Sequence, residues 1–278
     1  MNNLHIFICH YTPLKERKTF ILKQLNNNIS NLIIKDLECE FDKEGQEYKS
    51  DNFDESKPGN YVYFIRKYDR DYLTPEIIDK FFIKDRDICH NVRRNIERFN
   101  EKPDISYDNY ISEFNYCIYS HLKMTEMSLA LKHYEACRLI STMDINYGLV
   151  IEDDCTFAQD FIPKLNNLMK EFPDNWNIYI PNSSPRPGFK TLHGHIKLEN
   201  TNKIFIKNAP NTVFSSSIFF RKSTADIIFK DIEKNKILLP IDHEYNWIFF
   251  KNKFIVLWND RHEQLTFWNK SGMKSTIR

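Results

Sequence analysis

The stretch that decides the fold is Tyr147-Gly148-Leu149-Val150-Ile151-Glu152-Asp153-Asp154. Its apolar part predicts a buried strand of an α/β sheet, and ligands of such sheets bind at the carboxyl ends of the strands. Three consecutive carboxylates repel one another unless a cation lies between them, and a divalent metal ion prefers oxygen ligands of this kind. The alternative is a solvated turn after the strand. Strand alternation predicts Glu152 and Asp154 on one side and Asp153 on the other.

The amino-terminal part of the chain predicts the same fold class. Residues 4–9 are typical of a buried strand, 14–27 of an amphipathic helix and 31–37 of a second strand. We expect Thr12 to cap the helix. A β-α-β order favours parallel strands. The predicted architecture is a single α/β domain over 1–278, with a mixed, mainly parallel central sheet flanked by helices.

The remaining predicted elements follow from periodicity and from turn residues. We expect strands at 61–65, 176–180, 203–207, 213–221 and 254–258, helices at 74–82, 87–99, from 107 or 112 to 141, and at 157–172, 222–234 and 240–250, a loop at 181–195 and a polar tail at 259–278. Residues 38–60 predict a surface excursion.

Composition excludes several function classes. The 39 basic and 38 acidic residues balance, whereas a general nucleic-acid binder would show a basic excess. The six glycines form neither a G-x-G-x-x-G fingerprint nor a P-loop, so the phosphates of any bound nucleotide must be held by a metal ion and side chains.

Cysteine usage and hydropathy bear on location. The six cysteines are scattered without a C-x-x-C pair, which favours reduced thiols in a cytoplasmic protein. No apolar run approaches the roughly 20 residues of a membrane-spanning helix. We therefore expect a cytoplasmic protein, with peripheral association at the inner face of a membrane left open.

At this point the chain resembles a known family. The stretch from Leu149 to Phe157, followed by Asp160-Phe161, resembles the signature of glycosyltransferase family 25, which includes lipooligosaccharide β-galactosyltransferases and is similar to the collagen galactosyltransferases. Three further segments resemble the family in the same order: Cys117-Ile118-Tyr119-Ser120-His121, the stretch from Val213 to Lys222, and Pro240-Ile241-Asp242.

The resemblance covers roughly 110–270, and more loosely 4–25, where Arg17 stands in a Leu-x-x-Arg setting. The chain departs from the family at Tyr116, where the family usually has Gly, and it lacks the direct Ser-Arg pair after Ser217. Residues 38–105 show no match, and we expect this region to carry acceptor specificity.

The resemblance implies a GT-A nucleotide-sugar-binding fold and inverting transfer of galactose or glucose from a UDP-sugar to a hydroxyl of a glycan acceptor. It also implies Mn²⁺ or Mg²⁺ at an Asp-x-Asp-like motif, with Asp154 as the main ligand and Asp153 or Glu152 beside it. Such an ion would stabilise the departing UDP.

A second carboxylate is needed to take the proton from the acceptor hydroxyl. Asp242, in the segment Pro240-Ile241-Asp242, is our choice for this base, Glu244 is the substitute and His243 is weaker. Pro240 opens the predicted helix, so an ordinary helix cap is the alternative role for Asp242.

Other residues are candidates for binding the two substrates. Ser120, His121 and Arg17 are candidates for the donor nucleotide, although Ser120 and His121 also suit a structural role that ties a helix to the sheet. The tail cations Lys270 and Lys274 would contact the diphosphate if the tail closes over it, and a solvated basic tail is the alternative. Trp268 is the candidate for stacking on the acceptor sugar.

Two rival functions use the same residues. One is a metal-dependent nucleotidyl- or phosphotransferase, which would release pyrophosphate where a glycosyltransferase releases UDP. The other is an inactive glycosyltransferase-like binding protein, for which no sugar transfer would be found with any donor and acceptor.

Overall fold

The structure, a computed structural model, describes residues 3–37, 58–83, 122–182, 195–197, 203–207, 216–259 and 263–268. The strands in these ranges are β1 (His5–Cys9), β2 (Leu32–Leu37), β3 (Asn60–Ile65), β4 (Tyr147–Glu152), β5 (Cys155–Phe157), β6 (Ile178–Ile180), β7 (His195–Lys197), β8 (Ile204–Lys207), β9 (Ser217–Arg221), β10 (Val256–Asn259) and β11 (Thr266–Trp268). The helices are α1 (Lys15–Asn28), α2 (Pro75–Phe81), α3 (Met124–Thr142), α4 (Phe161–Met169), α5 (Lys222–Asn235) and α6 (Ile241–Lys251), with a short 3₁₀ helix at Arg70–Tyr72.

In the described ranges, the main sheet has nine strands in the order β2-β3-β1-β4-β9-β6-β10-β8-β7. β9 is antiparallel to both β4 and β6, and β8 is antiparallel to both β10 and β7. The other neighbours are parallel, so seven of the nine strands share one direction. The predicted α/β class with a mixed, mainly parallel sheet flanked by helices is confirmed.

The two faces of the sheet carry separate hydrophobic cores. Alternation along each strand sends one set of side chains to each face, as in β4, where Val150 joins one core and Leu149 and Ile151 join the other. Helices α2, α3, α5 and α6 cover the first face, and α1 and α4 cover the second. β4 is therefore buried on both faces, as its continuous apolar run predicted.

Close packing fixes α3 against the centre of the sheet. A Cβ at Gly148 would lie 2.7 Å from both Ile140 Cγ1 and Phe7 Cε2. The glycine in β4 thus lets the helix approach the strand more closely than any side chain would permit. At the amino end of α3, the Glu126 carboxylate caps the helix by accepting a hydrogen bond from the backbone N–H of Lys123 at 2.8 Å.

Strand order also fixes where ligands can enter. β1 and β4 are neighbours, but the chain leaving β1 returns through α1 to β2 at one edge, whereas the chain leaving β4 passes through β5 and α4 to β6 on the other side. Such a divergence at the carboxyl ends of adjacent parallel strands opens a crevice, and open α/β sheets bind their ligands there.

Several predictions about local structure were wrong. Thr12 does not cap α1, because its hydroxyl accepts a hydrogen bond from Arg66 Nε and its backbone N–H donates to Asp69 Oδ2, both at 3.1 Å. Neither β5 nor β11 was predicted, since we placed 157 in a helix and 266–268 in a polar tail. β7 was also missed; it begins at the end of the predicted 181–195 loop.

Most other element predictions are confirmed to within a few residues. The helix predicted at 87–99 and the start of the one predicted from 107 or 112 lie outside the described residues. Of the 38–105 region, the structure describes only 58–83. That the whole chain forms one domain stays a prediction. None of the helices within the described ranges is both long and apolar enough to cross a membrane.

Candidate functional site

A crevice lies at the carboxyl ends of β1 and β4, where the two strand connections diverge. Its cavity volume is about 50 Å³, and it opens to solvent. The polar side chains that line it come from the end of β1, from α1, from the 3₁₀ helix after β3, from α3 and from the end of β4: His10, Tyr11, Arg17, Arg70, Thr125, Ser128, Lys132, Glu152 and Asp153.

The centre of this lining is Asp153, a buried carboxylate with both oxygens engaged. Arg17 Nη1 donates to Oδ1 at 2.7 Å, and His10 Nδ1 lies 2.8 Å from Oδ2. Since an ionised carboxylate only accepts hydrogen bonds, His10 carries its proton on Nδ1. Burial alone would raise the pKa of Asp153, but the bonds from His10 and Arg17 and the guanidinium charge outweigh it, so the pKa is lowered.

A second buried ion pair lies on the α3 side of the crevice. Lys132 Nζ donates to Asp69 Oδ1 and to the backbone carbonyl of His10. Burial lowers the pKa of Lys132, although the negative charge of Asp69 opposes that shift. Asp69 Oδ2 in turn accepts from the backbone N–H of Thr12. The pair therefore ties α3 and the segment after β3 to the loop that follows β1.

The acidic motif does not keep the predicted alternation beyond the strand. β4 ends at Glu152, and a turn at 153–154 leads directly into β5. As a result, Arg17 Nη1 lies 2.7 Å from Asp153 Oδ1 and 3.6 Å from Asp154 Oδ2, so these two carboxylates gather around one guanidinium group. Glu152 and Asp153 line the crevice, and Asp154 adjoins it beside Arg17.

The acidic motif also lies next to β11, from the carboxyl-terminal part of the chain. β11 pairs antiparallel with β5, which places Trp268 opposite Cys155 and Phe267 opposite Thr156. Because Cys155 directly follows Asp154, the backbone of Trp268 pairs with the residue next to the acidic motif. Its role in acceptor binding stays a prediction.

Asp242 and Glu244 lie in the first turn of α6. α6 ends at Lys251, just before β10 begins at Val256 opposite Ile178, the first residue of β6. The helix packs on the face of the sheet that α3 covers, and it starts at the same end of the sheet as the acidic motif. Asp242 is half-buried there.

Glu244 has a different environment from Asp242. It is buried, and its Oε2 accepts hydrogen bonds from the backbone N–H groups of Leu238 and Leu239, both at 3.0 Å. Burial raises the pKa of Glu244 to about 7, against these two bonds, which lower it. The carboxylate thus closes the turn between α5 and α6.

The structure brings together some of the predicted site residues. Arg17, Glu152, Asp153 and Asp154 meet at the crevice, and their roles in binding metal and donor stay predictions. Ser120, His121, Lys270 and Lys274 lie outside the described residues, as does the side chain of His243, and their predicted roles stay predictions.

Five residues at or beside the crevice were not predicted from the sequence: His10, Tyr11, Asp69, Arg70 and Lys132. For His10 and Tyr11 a signal was present, since they follow β1 as the acids follow β4, and the same rule about carboxyl ends applies to both strands. Lys132 also carried a signal, as a charged residue within an apolar stretch of a helix. Asp69 and Arg70 carried none, because their partners are distant in sequence.

The residue types at the crevice fit a hard divalent cation, which takes carboxylate oxygens as ligands. Within the described residues no group of three or more His, Cys, Asp or Glu side chains is arranged to hold a metal ion. Mg²⁺ and Mn²⁺ are commonly held by one or two carboxylates together with substrate phosphates, so the metal prediction does not require a ready-made cage.

No protein-family model and no curated protein matches this chain. Among solved structures it is similar to the apo crystal structure of mouse xyloside xylosyltransferase 1, at 10% sequence identity and a TM-score of 0.36, over 91% of this chain and 84% of that one. At this TM-score we take neither fold nor activity from the similarity.

Removing the charge of Asp153 should destabilise the protein. Asp153→Asn keeps the side-chain shape but leaves the buried Arg17 guanidinium without its main counter-charge, so the free energy of unfolding at pH 7 should fall by roughly 3–5 kcal/mol. Denaturant unfolding would measure this. Asp226→Asn, which breaks a surface pair with Lys230, is the control and should change little. Equal stability of the two variants would contradict a structural role for Asp153.

Glu244 should make stability depend on pH. A carboxyl group with a pKa raised from 4.5 to about 7 contributes stability that is fully present below pH 4.5 and is lost as the pH rises through 7. The loss should amount to about 3 kcal/mol at most. Glu244→Gln can still accept the two backbone hydrogen bonds, so its unfolding free energy should lack this decline between pH 4.5 and 7.

The measurement is denaturant unfolding of wild type and Glu244→Gln across that pH range. Glu16→Gln, at an exposed position on α1, is the control and should follow the wild-type profile. Parallel profiles for wild type and Glu244→Gln would show that Glu244 titrates normally.

Proposed function

We propose that this chain is an inverting glycosyltransferase that moves galactose or glucose from a UDP-sugar to a hydroxyl group of a glycan acceptor. The observation that carries the proposal is the acidic motif at the carboxyl end of β4, beside a cation-lined crevice at the divergence of β1 and β4. The ordered family-25-like segments supply the reaction type.

The crevice has the chemistry that a nucleoside diphosphate needs. Arg70 brings a partly exposed positive charge to its lining, beside the buried ion pairs of Arg17 and Lys132, and anionic phosphates are attracted to such a charge. Without a glycine-rich loop, phosphate recognition depends on side chains of this kind. The crevice also lies where open α/β sheets place their ligands.

The acidic motif would hold the metal ion that stabilises the leaving group. Bound at these carboxylates, Mn²⁺ or Mg²⁺ would neutralise charge that develops on the departing UDP. We assign the ion to Asp154 and Glu152, because Asp153 already uses one oxygen for Arg17 and the other for His10. In this assignment Asp153 positions Arg17 beside the crevice.

Asp242 would accept the proton of the acceptor hydroxyl. Its position at the start of α6 puts it at the same end of the sheet as the acidic motif. The oxygen attacks the anomeric carbon from the face opposite the UDP, which inverts that carbon. Asp242 is preferred to Glu244 because the Glu244 carboxylate is bonded to two backbone amides.

Asp154→Asn should reduce sugar transfer by about 100-fold or more while leaving the fold intact, because a neutral amide is a poor ligand for a hard cation. UDP release from a panel of UDP-sugars with Mn²⁺ measures the first effect, and Mn²⁺ titration of the protein measures metal binding directly. Asp226→Asn on α5 is the matched control. Normal transfer and normal Mn²⁺ affinity in Asp154→Asn would refute the metal assignment.

Product analysis in the same assay separates the rival activity, because a nucleotidyltransferase releases pyrophosphate and a glycosyltransferase releases UDP. Inversion is checked by the anomeric coupling constant of the product in NMR spectra. A retained configuration would rule out direct displacement.

Asp242→Asn should abolish turnover and leave UDP-sugar affinity within about twofold of wild type, since a general base contributes roughly 100- to 10,000-fold to the rate without contacting the nucleotide. Steady-state kinetics and calorimetric titration with UDP measure the two effects. Unchanged turnover would place the base on another residue.

A further inference from the structure

Arg70 stands out among the cations of the crevice by the way it is held. It belongs to the 3₁₀ helix after β3, and its guanidinium carbon lies 4.4 Å from the centre of the Tyr11 ring. Its Nε donates a hydrogen bond to the Tyr11 hydroxyl at 2.9 Å. The cation–π contact and this bond together hold the guanidinium group in place.

Asp71 completes the support. The Tyr11 hydroxyl donates to Asp71 Oδ2 at 2.5 Å, and Asp71 Oδ1 lies 3.7 Å from Arg70 Nε. Within the described part of the chain, the hydrogen bond and the ion pair of Arg70 both go through Nε. The two terminal amino groups take part in neither contact.

The other two cations of the crevice are committed to protein partners. Arg17 Nη1 donates to Asp153, and Lys132 donates to Asp69 and to the carbonyl of His10. Both are buried, whereas the Arg70 side chain is 38% exposed. Arg70 is therefore accessible from solvent and held in place, and its two terminal amino groups are not used in the contacts that hold it.

A planar pair of amino groups is the arrangement that binds a phosphate through two parallel hydrogen bonds. Because Tyr11 and Asp71 hold the guanidinium group in advance, little side-chain entropy is lost when a ligand binds. The location at the carboxyl ends of the parallel strands is where a nucleotide would place its phosphates.

We propose that Arg70 binds the diphosphate of the nucleotide donor through its two terminal amino groups, with Tyr11 and Asp71 as positioning residues. The identity of the nucleotide rests on the proposed function. Recognition of a diphosphate by Arg70 does not require that sugar transfer follows.

Calorimetric titration with UDP, uridine and inorganic pyrophosphate tests the proposal on the full chain. In Arg70→Ala the Kd for UDP should rise by about 10- to 100-fold, the cost of losing hydrogen bonds to a charged group. Pyrophosphate binding should weaken by a similar factor, and uridine, which has no phosphate, should bind wild type and variant equally.

Two further variants separate charge from geometry. Arg70→Lys keeps the charge but loses the planar pair of donors, so its UDP affinity should lie between those of wild type and Arg70→Ala. Tyr11→Phe keeps the ring and removes the hydroxyl that accepts from Nε, so it should weaken UDP binding by a smaller factor than Arg70→Ala.

Arg138→Gln is the matched control. Arg138 on α3 has a side chain of similar exposure, 34%, and pairs with Glu135 outside the crevice lining. It should bind UDP as wild type does. Circular dichroism of each variant confirms that the fold is retained before titration.

Unchanged UDP affinity in Arg70→Ala would overturn the proposal, as would an equal loss of uridine and UDP binding. The outcomes also separate it from the proposed function. Arg70-dependent UDP binding without transfer from any UDP-sugar supports the role of Arg70 and refutes the transferase. Sugar transfer with unchanged UDP affinity in Arg70→Ala supports the transferase and refutes the role of Arg70.

Discussion

The interaction on which the site depends is the buried contact of Asp153 with Arg17 and His10. It joins the end of β4 to two elements that are distant from it in sequence, the loop after β1 and the first turn of α1. Separating a buried charge from its partner costs several kcal/mol, so this contact holds the two central strands and α1 in one arrangement. The Lys132–Asp69 pair extends it to α3 and to the segment that carries Arg70.

The sheet explains why these charges meet at one place. β1 and β4 are adjacent and parallel, and Cys9 lies opposite Glu152 at their ends. The residues that follow each strand, His10 and Tyr11 on one side and Asp153 and Asp154 on the other, therefore come together. Because the onward connections of β1 and β4 diverge, the polar side chains between the two strand ends line a crevice in place of a core.

Most of the strands and helices could be predicted from the sequence, because buried strands such as residues 4–9 and 147–151 show continuous apolar runs. Amphipathic helices such as 222–234 show their period in the same way. The acidic motif was found as three carboxylates that follow a buried strand, and Arg17 was found through a family-like pattern. Pairings between distant short segments leave no such signal. β5 and β11, which pair with each other, have three residues each and lie about 110 residues apart in the sequence. The predicted cap at Thr12 failed for the same reason, since the Thr12 hydroxyl and backbone N–H bond to Arg66 and Asp69, which are distant in sequence.

We propose that the crevice between β1 and β4 binds a nucleoside diphosphate, and a crystal structure of the protein with UDP and Mn²⁺ is the decisive test. We expect the diphosphate between Arg70 and the acidic motif, with the metal ion on the carboxylates of that motif. A nucleotide bound at another surface, with none in the crevice, would refute the proposal.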